Sequence, residues 1–392
     1  MSSPIRLTGS DGTQPDICDV SDLQRGLKIF ARPSNARALR CIAGNWLIII
    51  ACGVLWHMVL GSLNTPSRVL VSIVEVIVLT SRIRALESLT HEASHGTLFR
   101  TRSLNTRLQW LYALPILHEV RAYGAGHILH HRYLGSEGDP AQKLFRRHRV
   151  NEFPAGYAWV MFIRPCLGYH TLDWAREKLE WWTDLRSFRI VAPFWMAILV
   201  IGLMAGWLPW LLLHWFVALA LLFPIVEFWG EVADHASVDP MALGKTRSNV
   251  GLLHRLILHT HADGYHMVHH ISPSIPGHRL RAAHAFARQA MPFARILECY
   301  TIGETLAQLR ATANASRIIR SYPRGLARET VTSLRPSRIR RHPCRSCIRK
   351  RMGPTYKQTD KRCPRRTSRR TRHENNGQYR LGRVVLRPRE SD

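Results

Sequence analysis

The stretch His127-Ile128-Leu129-His130-His131 decides how the rest of this sequence is interpreted. Its histidines stand at positions i, i+3 and i+4, and residues at these spacings share one face of a helix. Three imidazole rings on one face can point at a single metal ion, because imidazole binds iron, copper, nickel and zinc. The stretch therefore predicts a metal-binding helix.

Two further histidine clusters complete this pattern. The spacing of the first stretch returns at His266, His269 and His270, and a pair at His91 and His95 is separated by about one helical turn. Eight histidines are more than the roughly four to six ligands of one ion, so we predict a centre for two ions. The clusters contain no cysteine, which argues against a structural zinc site.

Long apolar stretches indicate an integral membrane protein, although core helices of a soluble protein are the alternative. A stretch of about 20 apolar residues crosses a hydrocarbon core of about 30 Å. The two short turns between paired spans carry one arginine, Arg68, whereas the flanks are rich in Lys and Arg. The positive-inside rule then places both termini and the histidine clusters in the cytosol. The predicted spans, forming two hairpins, are Cys41–Leu60, Val69–Thr80, Ile190–Met204 and Trp210–Phe228.

The predicted fold is an all-α membrane protein with four transmembrane helices and a cytosolic helical cap that holds the two-ion site. We divide the chain into a polar segment 1–36, a membrane domain 37–310 and a basic tail 311–392. The tail contains 24 Lys and Arg against five Asp and Glu, and the whole chain has a net charge of +28. Because it has no apolar periodicity, we expect the tail to be disordered. A functionless extension and a lipid-binding segment both stay open, and we expect no nucleic-acid partner.

The histidine pattern resembles that of the membrane-bound fatty acid desaturase/hydroxylase superfamily, whose signature is three histidine boxes on a four-span scaffold. The boxes here are His91 to His95, His127 to His131 and His266 to His270. Their surroundings also agree, with Gly138-Asp139-Pro140 after the second box and Pro273, Pro276 and Leu280 after the third. The resemblance covers about residues 40–300.

The resemblance implies a non-haem di-iron centre and a ninth histidine shortly after the fourth span. It also implies an O2-dependent reaction on a hydrophobic or acyl-type substrate from the bilayer. Electrons would come from an external ferredoxin or cytochrome-type donor, because no fused donor motif is visible. The implied metal ligands are His91, His95, His127, His130, His131, His235, His266, His269 and His270.

Two departures from the family pattern bear on the substrate. Glu231 stands where some members have an asparagine near the metals, and we assign it no role. Residues 262–265 read Ala-Asp-Gly-Tyr, where many acyl desaturases have Asn-x-Asn-Tyr. We expect desaturation rather than hydroxylation of an acyl lipid or of a smaller acyl- or amino-acid-derived metabolite. The saturated precursor of a rhizobitoxine-type enol-ether amino acid is an example of the latter.

Other functions stay open on sequence grounds. His91-Glu92-Ala93-Ser94-His95 is also the H-E-x-x-H motif of zinc proteases, but a protease leaves the other two boxes unexplained. A membrane protein that only binds metal or haem is a further alternative. His259 and His261 stand close to the third box in the sequence, and contact with the ligands is for each of them the less favoured interpretation. The histidines expected to be packing or surface residues are His57, His118, His148, His170, His214, His254, His278 and His284.

Overall fold

The computed structural model describes residues 19–59, 62–150, 159–182 and 184–321. Half of the predicted N-terminal segment, residues 1–18, therefore lies outside the described residues. The same holds for residues 322–392 of the predicted tail and for Leu60 at the end of the first predicted span.

The described chain is mostly helical. Two π-helical turns outside the main helices span Trp159–Ile163 and His254–Leu258. Short helical turns span Lys28–Phe30, Leu104–Arg107, Gln109–Leu111, Leu114–Ile116, Arg164–Cys166, Leu243–Lys245 and Thr260–Ala262. The main helices are α1 Val20–Leu27, α2 Asn35–Val59, α3 Thr65–Ser94, α4 Val120–Tyr133, α5 Pro140–Arg147, α6 Tyr169–Trp182, α7 Leu185–Met204, α8 Leu208–His235, α9 His266–Ile271, α10 Gly277–Ala290 and α11 Ile302–Ser321.

Among the described residues, three helices are long and apolar enough to cross a membrane. They are Asn35–Met58, Leu185–Met204 and Leu208–His235; the first covers most of the first predicted span, and the other two contain the third and fourth. Helix α8 carries two π-helical turns, at Leu211–Trp215 and Ala218–Leu222, and continues beyond the predicted end of its span to His235. Its last turns therefore deliver side chains to the histidine clusters.

The second predicted span forms the first part of the 30-residue helix α3. Asn64 caps this helix by accepting a hydrogen bond from the Ser67 amide. Glu75 is buried and faces the protein, where its Oε1 accepts a 2.6 Å hydrogen bond from Trp210. The opposite face exposes apolar side chains such as Ile73. An inward carboxylate is compatible with a membrane helix, so the second predicted span stays a prediction with this support.

One apolar core joins α2, α3, α7 and α8. Each helix contributes side chains to it, represented by Ile49, Ile83, Trp195 and Leu219. The helices also expose apolar residues on their outer faces, as expected for helices in contact with lipid. The core thus holds the ends of α3 and α8 in a fixed relation, which matters because both ends carry histidines.

The all-α prediction missed a small two-stranded sheet. Strand β1, Arg247–Asn249, pairs in parallel with strand β2, Leu297–Cys299. Each strand has three residues, which is too short to show the alternating pattern by which strands are recognised in a sequence. Ser248 stands opposite Glu298 in the register.

The predicted tail boundary falls inside a helix. Helix α11 begins at Ile302 and continues ten residues beyond residue 311. Its described part packs onto α8 through Leu309 and Leu306, next to Val232. The division into three parts is otherwise untested and stays a prediction.

Helix α1 is anchored to the third histidine box. Asp19 caps it, and Leu23, Leu27 and Phe30 are buried against a cluster that includes Met267 from α9. These contacts hold α9 from the side opposite its histidines. The N-terminal segment therefore contributes to the position of the box.

We expect Leu27→Ala to lower the thermal stability of the purified protein, because removing a buried leucine side chain typically costs about 2–5 kcal/mol. Leu27 is 0% exposed, whereas Ile29, on the following turn, is 39% exposed. Thermal unfolding in detergent should show a clear decrease for Leu27→Ala and little change for Ile29→Ala. Equal effects of the two variants would contradict the packing described here.

Candidate metal centre

Four separate segments of the chain bring nine histidines together. His91 and His95 lie at the C-terminal end of α3, and His235 is the last residue of α8. Helices α4 and α9 carry three histidines each. Helices α3 and α4 approach closely at Gly124, where a Cβ atom would lie 3.3 Å from Cβ of Ser94.

The first group contains five of these histidines, with ring nitrogens within 4.8 Å of one another. Nε2 of His127 lies 2.9 Å from Nε2 of His95 and 2.9 Å from Nε2 of His131. Nε2 of His269 lies 2.9 Å from Nε2 of His91 and 3.0 Å from Nε2 of His131. All five rings therefore turn the same nitrogen toward one point.

The second group contains the other four histidines, His130, His235, His266 and His270. Nε2 of His235 lies 3.2 Å from Nε2 of His130 and 2.9 Å from Nε2 of His266. Nε2 of His266 also lies 3.1 Å from Nε2 of His270. The structure thus brings together every histidine that the sequence singled out, His235 included.

The grouping differs from the simplest expectation, in which each box points at one ion. His127 and His131 enter the first group while His130 enters the second. Successive residues are rotated by about 100° around a helix axis, so neighbouring rings of a box diverge. The rings at positions i and i+4, His127 and His131, belong to one group, and the ring at i+3, His130, belongs to the other. The third box divides in the same way.

The distances within each group suit a shared metal ion. Two nitrogens bound at right angles to one ion, each at about 2.1 Å, lie about 3.0 Å apart. Hydrogen bonds alone do not explain the contacts, because each ring nitrogen has either one hydrogen or one lone pair. Nε2 of His131, for example, cannot donate to both His127 and His269. A cation between the nitrogens satisfies all of these contacts at once.

Burial keeps four rings of the first group in the neutral form that a metal requires. Burial, followed by the neighbouring histidines, lowers the pKa of His95 to about 3 and that of His131 to about 2. The same causes hold the pKa values of His127 and His269 well below the usual range. At neutral pH these nitrogens therefore present lone pairs rather than protons.

Two aspartates orient histidines from the outer side. Nδ1 of His91 donates to Asp263 at 3.0 Å, and Nδ1 of His130 donates to Asp139 at 2.8 Å, since a carboxylate only accepts. Each bond leaves Nε2 as the lone-pair nitrogen that faces the group. Burial alone would raise the pKa of Asp263, but His91 and Arg84 hold it well below the usual range. Such carboxylate partners are typical of metal-bound histidine.

A third aspartate, Asp234, supports the second group. Its Oδ2 accepts a 3.0 Å hydrogen bond from Nε2 of His259 and lies 3.8 Å from Nδ1 of His266. Its Oδ1 accepts from the Asn249 side chain on β1 at 2.7 Å. His259 therefore lies next to the candidate ligands, which the sequence interpretation did not favour, and strand β1 contributes to the same network.

The sequence interpretation did not assign roles to Asp139, Asp234 and Asp263. Asp234 and Asp263 stand within three residues of a candidate ligand, and this proximity is a signal, whereas Asp139 follows His131 by eight residues. In the sequence, Asp139 is visible only as part of the Gly-Asp-Pro motif after the second box, and Asp263 only as a departure from the acyl desaturase pattern.

The other histidines of the described residues do not enter either group. Nε2 of His148 bonds Asp173 at 2.7 Å, and Nε2 of His284 bonds Glu298 at 2.5 Å. His118 lies 2.7 Å from Lys178 Nζ. His261 bonds the Asn45 side chain at 2.8 Å and lines a small cavity beside the first group.

Comparison with known proteins agrees with the geometry. A family model described as fatty acid desaturase matches residues 66–301, a range that contains all nine histidines. Dihydrorhizobitoxine desaturase from Bradyrhizobium elkanii is 29% identical over 289 residues, which cover 68% of this chain and 79% of that protein.

We expect Asp139→Asn to lower the affinity of the second group for its ion by about 10- to 100-fold. Oδ1 of Asp139 accepts from His130 and its Oδ2 accepts from the Gly135 amide, so an amide NH2 must face one of two donors. Metal content after dialysis against a competing chelator should fall toward one ion per chain.

Asp173→Asn is the matched control, because Asp173 also accepts a hydrogen bond from a buried histidine, His148. It lies outside both groups and should leave the metal content unchanged. Equal metal loss in both variants would indicate general destabilisation and contradict a specific role for Asp139.

Proposed function

The chain belongs to the fatty acid desaturase family, and from this premise we propose that it is an O2-dependent di-iron desaturase of the membrane. The family and the desaturase relative make it an oxidoreductase of the desaturase type. The single observation that carries the proposal is the convergence of nine histidine nitrogens in groups of five and four. Two iron ions held there would supply oxygen activation, the chemistry needed to take hydrogen from an unactivated C–H bond.

The chain's own residues hold the site in a defined and dry arrangement. Asp139 and Asp263 fix the orientation of one histidine in each group. Arg84 donates to Asp263 at 3.0 Å and to Glu87 at 2.7 Å, so the carboxylate itself cannot rotate freely. Burial of the cluster limits the access of water, which protects reactive species from side reactions.

The reaction requires an external electron donor. Forming one C=C bond removes two hydrogens from the substrate, and reducing O2 to two waters takes up those hydrogens with two further electrons and two protons. We propose a ferredoxin or cytochrome-type protein as the source of the electrons. An acidic protein of this kind is favoured by a basic surface near the site.

Such a basic surface lies beside the second histidine group. Asp139 bonds His130 and also caps α5, since its Oδ1 accepts from the Ala141 amide. The exposed basic residues of α5 and the segments next to it are Arg132, Lys143, Arg146, Arg147 and Arg149. We propose this surface for donor docking, because it brings the donor close to His130.

We propose a hydrophobic or acyl-type substrate, with a small acyl- or amino-acid-derived metabolite preferred. The preference rests on the likeness to a dihydrorhizobitoxine desaturase and on the run Ala262-Asp263-Gly264-Tyr265. An apolar cavity of about 230 Å³ offers room for an alkyl segment near the second group. Its walls include Trp229 and Ala233 of α8.

Three alternatives lead to different measurements. A hydroxylase of the same superfamily would add one oxygen to the substrate instead of removing two hydrogens. A zinc protease would use only the first box, and the family match over all three boxes favours the desaturase. A protein that only binds metal or haem would consume neither O2 nor reductant. Metal analysis separates the desaturase from the protease, since the desaturase needs two irons and the protease one zinc.

We expect cells that express the protein to form a product two hydrogens lighter than its precursor. Mass spectrometry of metabolites from cells with and without the gene measures this directly. His130→Ala should abolish product formation and iron loading, because it removes one of four nitrogens from the second group. Membrane insertion should be unchanged.

His278→Ala provides the control, because His278 is exposed and lies outside both groups. It should retain activity and iron. Full activity of His130→Ala, or a product with one added oxygen, would contradict the proposed desaturase.

For donor docking, we expect the double variant Lys143→Glu/Arg146→Glu to raise the KM for an acidic [2Fe–2S] ferredoxin and to weaken its salt dependence. The kcat should change little, because neither residue is in the histidine groups. Lys28→Glu, at an exposed position on a different part of the surface, should leave the KM unchanged. An equal increase from Lys28→Glu would show an effect of net charge rather than of a docking surface.

A further inference from the structure

Two arginines on the same helix differ in their partners. Arg84 is buried and pairs with Glu87 at 2.7 Å and Asp263 at 3.0 Å, so its charge is neutralised. Arg82 is half-buried, and no carboxylate of the described residues lies within ion-pair distance of it. A partly desolvated guanidinium without a counter-ion is costly, and such groups commonly mark a functional site.

The hydrogen bonds of Arg82 leave part of its donor set available. Nη1 donates to Asn45 Oδ1 at 3.1 Å, and Nη2 donates to Ser81 Oγ at 2.8 Å. Both acceptors are neutral and do not compensate the charge. A guanidinium has five N–H donors in a planar fork, so three remain for a ligand. This fork matches the two oxygens of a carboxylate.

The partners of Arg82 connect it to the first histidine group. Asn45 is 1% exposed, and its Nδ2 donates to Nε2 of His261 at 2.8 Å. The His261 ring lines the cavity of about 20 Å³ whose other walls include His91, His95 and His269. Burial and the charge of Arg82 lower the pKa of His261 to about 4, so the ring is neutral at physiological pH.

The backbone next to this cavity is held in a strained conformation. His261 and Ala262 have φ values of 53° and 69°, in the left-handed region that non-glycine residues rarely adopt. Two such residues in succession cost free energy, and the surrounding contacts must maintain them. The bond from Asn45 holds His261 in this position, between Arg82 and the histidines.

We propose that Arg82, held in place by Asn45, binds the carboxylate of the substrate and directs the rest of the molecule past His261 toward the first histidine group. That the bound carboxylate belongs to the substrate rests on the proposed function, whereas the anion site itself does not depend on it. Arg82 lies nine residues before His91, which corresponds to about 14 Å along the axis of α3. The substrate class is therefore one with a free carboxylate at a distance from the reacting carbons, rather than a neutral ester.

The test compares a charged and a neutral probe on the full-length, iron-loaded protein in a neutral detergent. At pH 8, we expect octanoate to bind about 10- to 100-fold more tightly than methyl octanoate, as expected for a charge-assisted hydrogen bond. Isothermal titration calorimetry measures both affinities, and fluorescence of Trp46, next to Asn45, provides a second signal. Equal affinity for the two probes in the wild-type protein would overturn the proposal.

Three variants make the test specific. Arg82→Gln should remove the preference for octanoate, and Arg82→Lys should retain part of it, because lysine keeps the charge but loses the fork. Arg102→Gln, at an exposed position, should behave as wild type. Size-exclusion chromatography and iron content identify any misfolded variant, and if Arg82→Gln does not fold, Arg82→Lys decides. An unchanged preference in a folded Arg82 variant would overturn the proposal.

A phospholipid phosphate has similar chemistry and is tested separately. In nanodiscs of phosphatidylglycerol, retention of the octanoate preference assigns the site to a soluble carboxylate. Two results together would overturn the substrate assignment in favour of lipid. The octanoate preference would be lost in these nanodiscs, and phosphatidylglycerol would copurify with the wild-type protein but not with Arg82→Gln. The calorimetry does not require turnover, so an Arg82-dependent preference without any desaturated product would refute the proposed function and leave the anion site standing.

Discussion

The packing of nine imidazole rings with their Nε2 atoms facing inward is the constraint on which the rest of the structure depends. Nε2 atoms about 3 Å apart repel one another unless a cation lies between them. The fold has to supply the energy that brings them together before any ion is bound. The apolar core shared by α2, α3, α7 and α8 provides the rigid support for this.

Carboxylates convert this support into a defined orientation of the rings. Asp263 links α3 to the third box through His91 and Arg84, and Asp139 links α4 to the start of α5. Asp234 extends the same type of contact to β1 through Asn249. The polar network is satisfied mainly by groups from distant parts of the chain, so the site and the cap form together.

The eight histidines of the three boxes and three of the four predicted spans follow from local patterns in the sequence, whereas His235 is expected only from the family resemblance. Spacing of i, i+3 and i+4 and long apolar runs are visible without tertiary information. The division of His127, His130 and His131 between two groups depends on ring directions around the helix and on what faces each ring. The same holds for β1 and β2, where six residues give no periodic signal, and for Arg82, whose isolation from carboxylates exists only in three dimensions.

The double role of Asp139 separates the position of His130 from the surface charge of α5, two properties that often constrain each other in evolution. One carboxylate holds His130 and also begins the helix that carries the exposed basic residues. The charges of that helix can change while its first residue keeps the histidine in place. With the donor docked on this helix as proposed, a host organism that lacks the native partner can be matched by exchanging only the exposed basic residues of α5, while the buried Phe145 and His148 are kept.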